Sequence, residues 1–260
     1  MRIGVIGAGS IGAVVAAKLR EGAVPRAELA GISHKDPNPP DGLHAMPFDE
    51  MLDTADLVVE CAGQQALATL GPRILDAGCD LLIVSVGALA DQQLFERLLG
   101  AGPGAVHLST GAIGGLDLLA AAAAMGPLHH VEIVTTKRAG SLIQPWMDDD
   151  QARRLRHAAA PVEVMRGPAR TVTEAFPASA NVAASVALAV RDWDVVEAAV
   201  VADPAAERTS HVITAEGAAG HYRFDITNQP SFRTPTSSRV VPYAVLSAID
   251  GLVNPKGVFR

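Results

Sequence analysis

The sequence opens with MRIGVIGAGSIGAVVAAKL, residues 1–19, which contains three successive patterns. Residues 2–6 form a short apolar run rich in β-branched side chains, and residues 13–19 are good helix formers. Between them lies the segment Gly-Ala-Gly-Ser-Ile-Gly, residues 7–12. A strand, a glycine turn and a helix in this order are typical of dinucleotide-binding domains, in which the pyrophosphate lies on the amides at the helix start.

Each glycine of this turn is expected to have its own task. Gly7 permits the tight turn, Gly9 lets the backbone approach a pyrophosphate, and Gly12 lets the helix pack closely on the strand. Because strand and helix flank the motif, we predict a cofactor site here rather than a purely structural turn. Ser10 and Ile11, which lie within the motif, belong to the predicted cofactor site.

The end of the second predicted strand bears on the choice of cofactor. In NAD-specific sites, an acidic residue at this place binds the 2′-hydroxyl of the ribose. This chain has Ser33, His34 and Lys35 there, and Asp36 follows only afterwards. A hydroxyl, an imidazole and an ammonium suit a 2′-phosphate better than a carboxylate does. We therefore expect NADP to be accepted or preferred, with NAD as the alternative.

Further apolar runs at residues 56–61, 80–86 and 105–109 alternate with helical segments. This alternation predicts a doubly wound parallel sheet, and hence an α/β fold with a Rossmann domain over residues 1–110. Ligands bind at the carboxyl edge of such a sheet. Small and polar residues follow the predicted strands at that edge, and three of them join the predicted cofactor site: Ala62, Ser85 and Gly87.

The second half of the chain has a different sequence pattern. We predict an α+β domain on a mixed sheet over residues 111–238, and a C-terminal helix, 239–260, that packs back on the Rossmann domain. The expected strands are residues 131–137, 197–202, 211–216 and 221–226, and a helix is expected at 180–190. A strand pair is predicted at residues 161–165 and 169–174. The apolar face of residues 221–226 suggests a homodimer.

The bulk properties exclude several functional classes. The net charge of −7 is spread along the chain, so no nucleic-acid footprint is apparent. The apolar runs are short and interrupted, so we expect no membrane span, and the N-terminus does not resemble a signal peptide. We therefore expect a cytoplasmic protein in which Cys61 and Cys79 are reduced packing residues. No Cys/His cluster has ligand spacing, so no metal site is predicted.

Five motifs occur together along the chain. They are SVGAL-x-D (residues 85–91), GAIGGLD (111–117), ASANVAASVALA around Asn181, ADP-x-x-x-R-x-x-H (202–211) and N-x-PS-x-x-x-PTSS (228–238). In this order they resemble the L-aspartate dehydrogenase family over nearly the whole chain. The resemblance implies a Rossmann domain joined to an α+β domain, and oxidation of L-aspartate to iminosuccinate with NAD or NADP. In some organisms the imine is thought to supply pyridine nucleotide biosynthesis.

The resemblance also implies roles for three residues. Ala112 and Asn181 would contact the cofactor near its nicotinamide, and His211 would be the catalytic residue. Residue chemistry supports a histidine, because the imidazole pKa near 6.5 suits proton transfer to and from an amine and a water. Without the resemblance, His221 would compete, since it opens an alternating strand.

The substrate implied by this resemblance is a dicarboxylate, which requires donors or positive charge. The candidates are Lys137, Arg233, Thr236 and Ser237. We favour Thr236 and Ser237 first, because residues 235–238 are expected to cap the closing helix and to offer its free amides. The segment 234–237 departs from the family pattern. A reductase of another oxo- or imino-dicarboxylate or of a semialdehyde, and a non-catalytic NADP-binding sensor, therefore remain as alternatives.

Overall fold

The computed structural model describes residues 1–37, 39, 42–177, 179–234 and 236–255. The strands are β1 (Arg2–Ile6), β2 (Glu28–Ser33), β3 (Leu57–Glu60), β4 (Asp80–Ile83), β5 (Val106–Leu108), β6 (Leu128–Arg138), β7 (Val162–Pro168), β8 (Val196–Asp203), β9 (Thr209–Gly217) and β10 (Gly220–Asn228). The helices are α1 (Gly12–Arg20), α2 (Phe48–Leu52), α3 (Gln64–Asp76), α4 (Gln92–Gly100), α5 (Leu116–Met125), α6 (Asp149–Arg156), α7 (Ala169–Ala175), α8 (Asn181–Val190) and α9 (Val241–Val253).

The chain divides into two compact units, Met1–Gly111 with Val241–Arg260, and Ala112–Val240. The first unit is built on a parallel sheet with the strand order β2-β1-β3-β4-β5. The strand order reverses between β1 and β3, and ligands of such sheets bind at this switch point. The predicted doubly wound sheet is thus confirmed.

Local sequence explains the elements of the first unit. All four residues of β3 are buried, as expected for a parallel strand covered on both faces. Asp91 caps α4, because its carboxylate accepts hydrogen bonds from the amides of Gln93 and Leu94. Helix α9 belongs to this unit and contacts α1. Asn254, just beyond the end of α9, donates a hydrogen bond to the carbonyl oxygen of Pro25.

The second unit is built on a mixed sheet with the strand order β10-β9-β6-β8-β7. Only the pairing of β6 with β8 is parallel, and the remaining pairs are antiparallel. Helices α5 to α8 contribute buried side chains to one core with one face of the sheet. The predicted α+β architecture on a mixed sheet is confirmed.

Two predictions in the second unit are wrong. Residues 169–174, predicted as a strand paired with residues 161–165, lie in helix α7, and β7 pairs with β8 instead. The apolar face of β10, expected to be exposed, is half-buried, because Tyr222, Phe224 and Ile226 pack against the core of the unit. Helix α6, which begins with a capping box of Asp148 and Gln151, was not predicted.

Two smaller differences concern segment ends. The strand expected at residues 80–86 ends at Ile83, and residues 86–90 form a 3-10 helix. The closing helix, expected from residue 239, begins at Val241. Of the helices within the described residues, none is long and apolar enough to cross a membrane.

Candidate active site

The glycine turn after β1 has the geometry that close approach of a phosphate requires. Gly7 has a φ of +88°, and a Cβ there would lie 2.8 Å from the carbonyl oxygen of Cys61. A Cβ on Gly12 would overlap the carbonyl oxygen of Gly7, so α1 can approach the turn only because residue 12 lacks a side chain. Gly9 is exposed, and a Cβ on it would meet no described atom within 4 Å. A ligand therefore has open space against the Gly9 backbone.

The start of α1 offers donors beside this space. Ser10 and Ile11 are half-buried and lead into the helix, and Ile11 is its N-cap residue. Within α1, whose residues are all described, no acidic side chain lies in the first turn, and no side chain caps the helix. The helix start therefore presents amides and a partial positive charge suited to a pyrophosphate.

The end of β2 contacts the same turn. Gly7 donates its amide to the carbonyl oxygen of Ser33 at 2.9 Å, and Ala8 donates its amide to Nδ1 of His34 at 3.2 Å. His34 is half-buried, whereas Lys35 is exposed. Because Nδ1 of His34 accepts a hydrogen bond, Nε2 is the ring nitrogen left to donate. The predicted residues Ser33 and His34 thus touch the glycine turn directly.

A buried carboxylate that the sequence analysis missed joins the turns after β3 and β4. Glu60 is 1% exposed, and its carboxylate accepts the amides of Ala62 and Gly63 at 2.8 Å each. It also accepts the amide and the hydroxyl of Ser85, both at 3.0 Å. Burial raises the pKa of Glu60 above its ordinary value, although these four donors act against that rise.

Glu60 changes the interpretation of the predicted cofactor residues. The hydroxyl of Ser85 donates its hydrogen bond to Glu60. Ser85 therefore holds the loop after β4 in place. Gly87 follows in the buried 3-10 helix of residues 86–90. The only sequence signal for Glu60 is a single carboxylate at the end of an aliphatic strand, residues 57–60.

In the second unit, one face of the sheet changes from apolar to polar along its strands. On β6 the buried positions are Val131, Ile133, Thr135 and Lys137, in this order. On β9, Thr209 and His211 are the buried residues before Ile213 and Ala215. Because residues paired in register share a face, the polar ends of β6 and β9 meet at the same end of the core.

His211 lies at the centre of this polar end. It is 2% exposed and lies directly opposite Thr135, whose Oγ1 is 3.0 Å from Nδ1 of His211. Lys137 follows Thr135 on the same face and is 4% exposed. Its Nζ donates to the carbonyl oxygen of Thr236 at 2.7 Å. The structure thus brings together three predicted site residues, His211, Lys137 and Thr236.

Both basic side chains of this cluster, Lys137 and His211, have lowered pKa values. Burial lowers the pKa of Lys137 from 10.5 to about 8. Burial, and secondarily the charge of Lys137, lowers the pKa of His211 to about 3. At neutral pH, His211 is therefore a neutral imidazole beside a buried ammonium.

Ala112 lies at the same end of the sheet. Its carbonyl oxygen accepts a hydrogen bond from Nδ2 of Asn228 at 2.8 Å. Asn228 pairs with Thr209 on β9, two positions from His211. Asn181 is half-buried and is the first residue of α8.

The predicted helix start at residues 235–238 is wrong. Ser237 donates its amide to the carbonyl oxygen of Thr234, and α9 begins only at Val241. Ser238 forms an isolated antiparallel bridge with Pro230, so Thr236 and Ser237 belong to a loop returning on itself. Pro235 lies outside the described residues, and Arg233 is exposed in the same loop.

The remaining predictions concern a second histidine, metal binding and the two cysteines. His221, the alternative catalytic histidine, is exposed and pairs with Glu216, on the sheet face opposite to His211. Within the described part of the chain, no three His, Cys, Asp or Glu side chains are grouped to hold a metal ion. Cys61 and Cys79 are free thiols, and burial raises the pKa of each.

The comparison with known proteins agrees with this arrangement. Residues 7–105 match the family model described as homoserine dehydrogenase, NAD binding domain, and residues 117–252 match that of aspartate dehydrogenase, C-terminal. The second match alone covers more than half of the chain. The chain belongs to the aspartate dehydrogenase family. This confirms the resemblance of the motifs to the aspartate dehydrogenase family, and the nucleotide-binding character of the first unit.

Other members of the aspartate dehydrogenase family are similar along their whole length. The L-aspartate dehydrogenase of Ruegeria pomeroyi is 37% identical, covering 96% of this chain and 91% of the relative. That of Methanosarcina acetivorans is 31% identical, covering 98% of both chains. The crystal structure of aspartate dehydrogenase from Thermotoga maritima has a TM-score of 0.74 at 28% identity, covering 100% of this chain and 99% of that one.

Proposed function

We propose that this chain is an L-aspartate dehydrogenase that interconverts L-aspartate and iminosuccinate with NADP or NAD. In the oxidative direction a hydride leaves Cα, the amine loses a proton, and water then releases oxaloacetate and ammonia from the imine. The observation that carries the proposal is the buried pair of His211 and Lys137 at the polar end of the second sheet. The family and the relatives support the same substrate.

The first unit fits a nicotinamide dinucleotide. Gly9 leaves open space for the pyrophosphate, whereas Gly7 and Gly12 let the turn and α1 pack closely on the protein backbone. The amides of Ser10 and Ile11 are proposed to donate to the pyrophosphate. When bound, the nicotinamide supplies the acceptor or donor of the hydride. The further cofactor contacts we propose are those with Ser33, His34, Lys35, Ala62 and Gly87, and, by the family resemblance, with Ala112 and Asn181. Ser85, whose amide and hydroxyl donate to Glu60, is proposed to act through the shape of its loop.

His211 is proposed as the general acid and base. Its neutral imidazole can take a proton from the substrate ammonium, which must lose it before hydride can leave Cα. The imidazolium formed in this way can return its proton to the imine nitrogen, which activates the imine, and the neutral imidazole can then take a proton from the attacking water. Burial is the larger cause of the low pKa of His211 in the unliganded protein, and the charge of Lys137 is the second cause. A bound dianion would offset that charge and raise the proton affinity of the imidazole.

Lys137 is proposed as the principal partner of a substrate carboxylate. It is a buried ammonium that, among the described residues, donates to one group, the backbone carbonyl oxygen of Thr236. Two of its three protons remain for an anion. The half-buried Thr236 and Ser237 and the exposed Arg233 lie in the adjoining loop and are proposed as further contacts.

A preference for NADP is proposed from the end of β2. The exposed ammonium of Lys35 and the Nε2–H left on His34 are donors for a 2′-phosphate. A carboxylate at this position would repel that phosphate. The ratio of kcat/KM for NADP and NAD measures the preference, and a clear preference for NAD would contradict the assignment.

The test of the function follows the absorbance of NADPH and NADH with oxaloacetate plus ammonium, and of NADP⁺ and NAD⁺ with L-aspartate. We expect turnover with these substrates and none with glutamate, homoserine or malate. Faster turnover of another oxo-dicarboxylate or a semialdehyde would identify a different reductase. Coenzyme binding without any turnover would identify a sensor.

We also propose a cytoplasmic homodimer. The two free thiols suit a reducing compartment. The sheet face opposite to the core carries two adjacent half-buried apolar residues, Val134 and Val212, which a second copy could cover. Sedimentation of the protein and of Val212→Lys tests this, because a lysine there should produce monomers. A monomeric wild-type protein would contradict it.

A further inference from the structure

The contact between Thr135 and His211 follows from the sheet itself. The two residues form a direct pair in the antiparallel ladder of β6 and β9, and both are buried. Their side chains therefore share one face, and Oγ1 of Thr135 lies 3.0 Å from Nδ1 of His211. The threonine χ1 angle is restricted by its β-branch, so the hydroxyl has little freedom to turn away.

The hydrogen on His211 can occupy only one of the two ring nitrogens. Burial and the nearby Lys137 keep the imidazole neutral, and a neutral imidazole has one N–H and one lone pair. Nδ1 faces Thr135, whereas Nε2 makes no hydrogen bond to any residue that the structure describes. Nε2 is therefore the nitrogen that remains for a substrate.

We propose that Thr135 is a positioning residue that accepts the Nδ1–H of His211 and so keeps the basic lone pair on Nε2. This proposal rests on the proposed role of His211 as the base. If the hydrogen were on Nε2, Nε2 could not take up a proton from the substrate. Nδ1 could not replace it, because the hydroxyl of Thr135 covers Nδ1. In this role Thr135 acts through the orientation and tautomer of the imidazole, without needing contact with substrate or cofactor.

The chain offers matched variants. Thr135→Val keeps the shape and β-branch of the side chain but removes the hydroxyl, whereas Thr135→Ser keeps the hydroxyl. Thr136→Val is the control, because Thr136 is the next residue of β6 and lies on the opposite face, paired with Ser210.

The first measurement is a long-range ¹⁵N–¹H spectrum of the full-length protein, which assigns the tautomer of each histidine without any turnover. Loss of one signal in His211→Asn identifies the resonance of His211. We expect the Nδ1–H form in the wild type, in Thr135→Ser and in Thr136→Val, and a mixture of both forms in Thr135→Val. An Nε2–H form in the wild type would overturn the proposal even if no variant folded.

The second measurement is steady-state kinetics of aspartate oxidation. Thr135→Val should lower kcat between about threefold and tenfold, the range expected for losing one neutral hydrogen bond, with KM nearly unchanged. Thr135→Ser should restore kcat, and Thr136→Val should match the wild type. An unchanged kcat in Thr135→Val would overturn the proposal.

The two proposals fail in distinguishable ways. If the wild type does not turn over aspartate but shows the Nδ1–H form that Thr135→Val loses, the proposed function fails, while the assignment of Thr135 to the tautomer is supported. If aspartate is turned over but the tautomer is the same in the wild type and in Thr135→Val, the function stands and the role of Thr135 is refuted.

Discussion

Replacing Lys137 with methionine should stabilise the unliganded protein while it impairs the enzyme. Lys137 is 4% exposed, and no carboxylate within the described residues forms an ion pair with it. Methionine retains the apolar stem without the charge. The substitution therefore separates the proposed binding role from the contribution of this residue to folding.

The pKa of Lys137 gives the magnitude. A fall from 10.5 to about 8 corresponds to about 3 kcal/mol of unfavourable free energy in the folded protein at neutral pH. The variant also loses the hydrogen bond to the carbonyl oxygen of Thr236, which is worth about 1 kcal/mol. We therefore expect the free energy of unfolding to rise by about 2 kcal/mol at pH 7.

The sign of the pH dependence follows from the same values. Below about pH 8, Lys137 is charged in both the folded and the unfolded states, so the full penalty is present in the wild type. Between about 8 and 10.5 the folded protein binds fewer protons than the unfolded chain, so the wild type gains stability as the pH rises. The advantage of the variant should therefore shrink over this window and turn into a deficit of about 1 kcal/mol above it, because the lost hydrogen bond to Thr236 then remains as the main difference.

Catalysis should change in the opposite direction. Loss of a charged hydrogen bond to a carboxylate should raise KM for aspartate by about 10-fold to 100-fold. The affinity for NADPH should stay constant. The assays are urea unfolding without ligands at pH 7 and above pH 10, steady-state kinetics, and fluorescence titration with NADPH. Arg138→Met is the matched control, since Arg138 is the next residue of β6 and is exposed.

The reasoning would be refuted by either of two results. A Lys137→Met protein that is less stable than the wild type at pH 7 would show that the ammonium is compensated. An unchanged KM for aspartate would show that Lys137 does not bind the substrate carboxylate. Equal effects from Arg138→Met would show that the changes do not depend on the buried charge.

Three further predictions concern other residues. His211→Asn should lower kcat by at least about 100-fold and leave NADPH affinity unchanged, as measured by kinetics and fluorescence titration. Equal activity would remove His211 from the mechanism. Lys35→Glu should shift the kcat/KM ratio from NADPH towards NADH by about tenfold, and an unchanged ratio would exclude contact with the 2′-phosphate. Glu60→Gln should lower the free energy of unfolding by about 2 kcal/mol, because the glutamine amide brings an N–H donor to a site that is surrounded by donors. The same substitution should weaken NADPH binding. An unchanged affinity for NADPH would contradict this prediction.

The first unit was predictable because its signals are local. The glycine spacing after residues 2–6 and the recurring apolar runs determine strand, turn and helix without knowledge of distant contacts. Glu60 was not predictable as a link between two loops. Its partner Ser85 is 25 residues away, and only the sheet brings the ends of β3 and β4 together.

Helix α7 shows why a short element was assigned to the wrong class. Its seven residues, ARTVTEA, contain two threonines and a valine, which favour a strand by local propensity. Ala169, Val172 and Phe176 have helical spacing and are fully buried in the core of the second unit. Burial of that helical face outweighs the local preference, and so short a pattern does not reveal it.

The polar end of the second core was visible in the sequence only as alternation along β6. Thr135 and Lys137 could equally have faced solvent, and only the pairing with His211 on β9 assigns them to the covered face. On that face, stability alone favours apolar side chains, because an unpaired buried ammonium costs about 3 kcal/mol. A threonine, a histidine and a lysine gathered there therefore lower the stability of the empty protein. An anionic ligand that pairs with Lys137 would offset that cost, and this is the physical reason to assign the substrate to this end of the sheet.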